Sequence, residues 1–332
     1  MDFSRGSSIF ATQVSDDICV AFFMQKGGAS MKNWHYVLIV FLGGCSYGIL
    51  STFVKLAYAT GFSVQEITGG QYLFGTAIIW LLVALTKKQK ISRNQAVKLL
   101  LSGVPFGLTG IFYYHSLQSL HASLAIIFLF QYIWIGSILE LVFLKKKPSL
   151  EKLVAIVILL AGSLLAAGIL SDTGVTVSLQ GAMWGMLSAV TFATFIFLSG
   201  SVGKDTAPLL KSALLSSGGL IIVFIVFPPF YLVDLPVLIG VTKFGLILGF
   251  FGAVLPPLLF SIGMPKIGPG LGTILTASEL PVAVLMSAFV LKEHVSGVQW
   301  IGVVIILGGI AASNLKYSKS SMNTKANNSL AN

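Results

Sequence analysis

Charge is what this chain has least of. Only 10% of its 332 residues are Asp, Glu, Lys or Arg, against 55% hydrophobic residues and a mean hydropathy of +0.91. A soluble globular domain carries about 25% charge, so these residues cannot clothe a body of this size in water. Lipid is the solvent that the composition fits. Cysteine is nearly absent as well: Cys19 and Cys45 supply neither a disulfide framework nor metal-ligand spacing. Cys45 lies inside an apolar run and reads as a small packing residue. No Gly-x-x-x-x-Gly-Lys-Ser/Thr loop occurs, which excludes P-loop nucleotide hydrolysis as an energy source. No cofactor or metal is implied. The net charge of +10 would suit nucleic acid, but the basic residues are spread over short loops and no soluble domain exists to hold a binding face.

What is present is length of apolar run. A transmembrane helix needs about 20 mostly apolar residues. Ten such stretches can be read, at roughly 36–58, 66–86, 98–119, 122–144, 152–170, 179–199, 208–231, 240–261, 270–291 and 297–315. No connection between them is long enough to fold by itself. With the N-terminus placed in the cytoplasm, 18 of the 21 Lys and Arg fall on inner segments, and only Lys55, Lys243 and Lys292 fall outside. This asymmetry predicts a multi-pass protein of the cell membrane with both termini cytoplasmic. Residues 1–30 are polar and read as an N-terminal extension ahead of a natural start at Met31-Lys32-Asn33-Trp34. Residues 316–332, rich in Ser, Asn and Lys, read as a disordered cytoplasmic tail.

The membrane pattern occurs twice. Gly162 and Gly309 lie 147 residues apart, and so do Leu124 and Leu271, Ile127 and Ile274, Lys145 and Lys292, Ser149 and Ser296, and Leu160 and Leu307. Apolar runs and polar breaks stay in phase over 124–166 and 271–313. The expected domains are therefore two five-helix repeats, 31–170 and 179–315. Five is odd, so the second repeat enters the membrane upside down relative to the first. The expected fold is an all-α integral membrane protein of ten transmembrane helices in a 5+5 inverted repeat, an arrangement suited to a carrier.

Glu279 is the residue that least belongs in lipid. It lies nine residues into its span, about 14 Å deep at 1.5 Å per residue. A carboxylate at the bilayer centre costs at least about 2.5 kcal/mol, so it should face a cavity or a partner, or carry a proton. Thr273 and Thr276 precede it at spacing three, which on a continuous helix gives all three one flank. Pro281 frees a backbone carbonyl nearby. On the 147-residue offset Tyr132 matches Glu279, Gln131 matches Ser278 and Trp134 matches Pro281. Gln131, Tyr132 and Trp134 read either as a ligand-stacking surface or as packing, with the deep Trp134 N–H seeking an acceptor. Lys55 reads as snorkelling or as a site cation, with Glu66 as its candidate partner. Glu140 is expected at the inner interface or as a gate of the inner mouth. His115, His121 and His294 lie at outer turns, where a lone histidine is usually solvated. Pro256, Pro257, Pro281 and Gly268 are candidate hinges, and Pro105 is expected to break the third span.

These residues resemble the drug/metabolite transporter superfamily in its EamA-like branch. The stretch Tyr113–Tyr114–x–x–Leu117–x–x–Leu120–x–Ala122–x–x–Ala125 is similar to that family's turn between its third and fourth helices. Pro281 through Leu291-Lys292-Glu293, followed by the Gly302–Gly309 helix, is similar to the end of a family repeat. The first repeat departs from that ending, with Trp134 in place of Pro and Lys146 in place of the acid. The resemblance covers about 31–315. It implies ten helices, a central cavity lined by spans one to four and six to nine, spans five and ten as outer supports, and export or exchange by alternating access. It carries over no catalytic residues.

The resulting expectation is a secondary transporter, not an enzyme. Its partners would be lipid, a small-molecule cargo (an amino acid or an aromatic or amphipathic compound) and protons, with Glu279 as the coupling or binding group. A sensor or scaffold without flux is the alternative. A membrane-embedded enzyme is disfavoured, because the acids and histidines are scattered rather than gathered at one depth.

Overall fold

The computed structural model describes residues 33–86, 90–120, 122–168 and 178–330, and among these every regular element is helical. The N-terminal extension, Lys87, Lys88, His121 and Asp172 lie outside the described residues. In chain order the helices are α1 Asn33–Gly48, α2 Leu50–Ala59, α3 Val64–Ala84, α4 Arg93–Ser119, α5 Ala122–Phe130, α6 Tyr132–Leu144 and α7 Leu150–Ala166. There follow α8 Leu179–Ser201, α9 Pro208–Val226, α10 Leu235–Leu248, α11 Leu255–Ile267, α12 Pro269–Thr276, α13 Glu279–Phe289 and α14 Gly297–Leu330. Among the described residues eight rods are long and apolar enough to cross a membrane: α1 with α2, α3, α4, α5 with α6, α8, α9, α10 with α11, and α12 with α13. Of the ten stretches read from sequence, the fifth forms α7, only 17 residues long, and the tenth lies in α14 as the short apolar piece Gly297–Ser313. These two helices pack on each other. α14 continues to Leu330, through the stretch whose composition reads as a disordered tail.

Local chemistry sets where the rods begin. Ser63 caps α3 in a box with Glu66, and the hydroxyls of Ser92, Ser149 and Ser178 accept the N–H three residues on. Pro208 and Pro269 open α9 and α12, where a missing N–H costs nothing. The box also engages Glu66, whose carboxylate accepts from the Ser63 N–H at 2.7 Å. It therefore serves the cap, and the expected pairing with Lys55 is not what its geometry provides. Nor does Pro105 break the third span: α4 runs on through it, because one lost bond in 27 residues is tolerated when both flanks pack against neighbours.

Glycines bring the rods together. A Cβ on Gly103 of α4 would strike the Leu215 carbonyl of α9, and one on Gly218 would strike the Leu100 carbonyl in return. Gly162 of α7 and Gly302 of α14 allow the same close approach. Hydrophobicity does not drive helices together in lipid, so such contacts supply the attraction.

The 147-residue offset reappears in the backbone. Lys145 (φ 54°) and Lys292 (φ 55°), which are offset mates, are the non-glycine residues with positive φ among those described. Ser149 accepts from the Lys152 N–H and Ser296 from the Gln299 N–H, again as mates. Both repeat-equivalent rods are interrupted at the same place: α6 starts at Tyr132 and α13 at Glu279. These two rods also run antiparallel. Gly136 of α6 abuts Thr273 of α12, and Glu140 lies against Gly270, while Leu124 shares a cavity with Ser287 of α13.

Candidate binding site

The break between α12 and α13 builds the site. Ala277 and Ser278 make tight i→i−3 bonds to Ile274 and Leu275, and Pro281 has no N–H to restore the ladder. The Ala277 carbonyl accepts instead from Leu280. The break is held against α1, where the Ser278 hydroxyl donates to the Phe41 carbonyl at 2.8 Å, and Gly44 and Gly48 leave room for the backbone of residues 276–283. Glu279 thus stands at the first position of a half-helix. It is 2% exposed, and its Oε1 finds no hydrogen-bond partner among the described residues.

A small cavity of about 50 Å³ opens at this carboxyl. Its walls are aromatic: Tyr47, Tyr72, Phe106, Tyr113, Tyr114 and Phe192, joined by Ser51, Gln71 and Thr109. The rings hold one another by edges and faces. Tyr47 meets Phe192 at 5.3 Å and 83°, and Tyr72 meets Phe106 at 4.9 Å and 62°. Tyr72 donates to the Phe106 carbonyl at 2.6 Å, and Tyr114 donates to Gln71 Oε1. The Tyr47 hydroxyl, like Glu279 Oε1, has no partner there. One carboxyl and several π-faces around a space this small suit a cationic head or a proton.

Ser51 and Ile126 line this space and a second one, a wide chamber of about 440 Å³. Lys55, Thr52, Ala283, Ser287, Glu293, His294 and Gln299 line the chamber, with Ala122 and Leu124 opposite. Lys55 therefore faces a polar chamber rather than lipid headgroups alone. Ser287 donates to Glu293, an ordered contact on the chamber wall. His294 belongs to the wall as well, and His115, half-buried, is stacked on Trp184 at 5.2 Å.

The other candidates are placed differently. The Trp134 N–H donates to Gln131 Oε1 at 2.8 Å, and the Gln131 amide donates to the Ile127 carbonyl. The two bond each other, and neither lines the two cavities described. Tyr132 is buried against Phe192 at 4.9 Å, beside the small cavity but not in its wall. Thr273 and Thr276 bond back to the Pro269 and Gly272 carbonyls. The turn at Ala277–Ser278 interrupts the helix between them and Glu279. Pro281 lies in the first turn of α13, Gly268 takes a positive φ (83°) before α12, and Pro256 and Pro257 follow a π turn at Gly249–Val254. Tyr47, Gln71 and Phe192 are site residues that sequence reasoning passed over. Gln71, an amide within an apolar run, was the one that carried a signal.

Comparison with known proteins agrees with this architecture. The EamA-like transporter family matches residues 34–168 and, a second time, residues 179–315. One solved crystal structure of a protein aligns with a TM-score of 0.61 over 83% of this chain and 98% of its own, at 16% identity, a likeness of fold alone. No curated protein matches the chain.

Proposed function

Because the chain belongs to the EamA-like transporter family, we propose that it is a secondary carrier for a small organic metabolite, working by alternating access. The observation that carries this reading is a buried carboxyl at a helix break, whose Oε1 has no hydrogen-bond partner among the described residues, in a cavity that shares Ser51 and Ile126 with a chamber large enough for a metabolite. The cargo places a cationic group, such as the ammonium of an amino acid, against Glu279 and the aromatic walls. The remainder of the cargo lies in the wide chamber, near Lys55. When no cargo is present, a proton takes the place of that group. The topology is ten spans in two inverted halves with both termini cytoplasmic. Support comes from the basic residues, 18 of 21 of which fall on one side, and from the antiparallel course of the two equivalent rods. This orientation puts the wide chamber on the outer side.

The test is flux in proteoliposomes, with cargo first chosen by thermal shift against a metabolite panel. Counterflow of that labelled cargo should accumulate it, which a sensor or scaffold would not do. Glu279→Gln should keep its melting temperature yet lose pH-dependent transport. Unchanged flux and pH profile in that variant would remove Glu279 from the mechanism.

A further inference from the structure

We propose a second chamber, closed in this structure, at the opposite end of the same rods, with the Glu140–Lys152 pair as its lock. The proposal rests on the carrier reading above and on the internal repeat. Six residues of the open chamber are Ala122, Leu124, Ile126, Ala283, Ser287 and Gln299. Subtracting or adding 147 turns them into Pro269, Leu271, Thr273, Gly136, Glu140 and Lys152. The two sets behave oppositely. In the first set Ile126 and Ala283 both line the open chamber. In the second, their mates Thr273 and Gly136 are in contact, so close that a Cβ on Gly136 would lie 3.0 Å from Thr273 Oγ1.

The lock completes the contrast. Ser287 and Gln299 line the open chamber and bond to other groups, Ser287 to Glu293 and Gln299 to the Ala166 carbonyl, whereas their mates Glu140 and Lys152 form an ion pair lying directly over the Gly270 backbone. The Glu140 carboxylate thereby meets the first turn of α12, where free N–H groups favour an anion. Only a glycine at 270 allows this approach. The two ends are far apart: Gly270 and Ser287 lie 17 positions apart along one rod, about 25 Å.

If the halves exchange conformations, Ser137, now buried with an unpartnered hydroxyl, must become wall of the second chamber, as its mate Val284 is wall of the first. The second chamber would be more basic than the first. Lys146, Lys147 and Lys152 stand where the first has Glu293, His294 and Gln299. It therefore takes the carboxylate end of a zwitterionic cargo better than the open chamber does.

Thiol labelling tests this without any cargo. Ser137→Cys and Ala283→Cys are made singly in a background lacking Cys19 and Cys45, and labelled in proteoliposomes with an impermeant maleimide. Alone, Ala283→Cys should react and Ser137→Cys should be protected. Adding Glu140→Gln should raise Ser137→Cys labelling and lower that of Ala283→Cys, each at least about threefold. Lys152→Gln should do the same, and the swap of Glu140→Lys with Lys152→Glu should restore the first pattern. Labelling at the two positions that moves together, or does not move, in both lock variants overturns the proposal. Reciprocal labelling in a protein that carries no flux would keep the two chambers and discard the carrier.

Discussion

At the residue scale, two demands of a lipid-embedded interior recur: polar atoms must find partners, and backbones must come close. Tyr114 and Gln71 illustrate the first. Tyr114→Phe leaves the Gln71 carbonyl oxygen buried and unpaired, so the melting temperature in detergent should fall, by about 1–3 kcal/mol of stability. Gly103 and Gly218 illustrate the second. Their missing Cβ atoms would meet backbone carbonyls, which cannot swing aside as a side-chain tip can. Gly103→Ala and Gly218→Ala should each cost about 1–3 kcal/mol. Gly308→Ala, where the added carbon meets nothing, should hold or raise the melting temperature. Glu279 was legible from sequence because a charge in an apolar run stands out. Tyr47 and Phe192 were not, because an aromatic residue in such a run is indistinguishable from one facing lipid.

At the element scale, interruptions matter more than helices. The rods that form the site are broken at offset-equivalent positions; left-handed Lys145 caps α6, and left-handed Lys292 follows the end of α13 by three residues. Left-handed backbone costs an L-residue roughly 1–2 kcal/mol. Lys145→Gly and Lys292→Gly should therefore raise thermal stability, whereas Lys145→Val should lower it. A melting temperature that falls in both glycine variants would show that the lysine side chains do more than tolerate the turn. Sequence located these ends, since the lysines and serines that flank them stand on the 147-residue offset. The sequence reading that puts Thr273, Thr276 and Glu279 on one flank assumes an unbroken helix, and the rod is interrupted at Ala277–Ser278. Pro281 was visible as the cause of trouble, but the turn that absorbs it, one residue before Glu279, depends on how α1 clamps Ser278.

At the scale of the whole molecule, the question is which surfaces face which side. Single cysteines in place of Lys147 and Asp205 should react with an impermeant reagent from one face of the membrane. Cysteines in place of Thr60 and Val233 should react from the other. Two spans, α7 and α8, separate Lys147 from Asp205, so opposite-face labelling of that pair would mean one of them does not cross. That outcome would undo the inverted topology and the alternating-access reading with it.

By itself the sequence determined the solvent, the repeat and the misplaced charge. Each is a property of composition or spacing along the chain: too little charge for water, a pattern that returns after 147 residues, and one carboxyl nine residues into an apolar run. Tertiary structure alone decided which polar groups meet. Gln131 and Trp134 satisfied each other, Glu66 turned to a cap, Glu140 found Lys152, and Glu279 Oε1 was left without a partner among the described residues, beside a cavity. The reason is that hydrogen bonds are claimed by the nearest suitable group in space. Here the neighbours are set by glycine contacts and helix breaks that bring together residues more than a hundred positions apart.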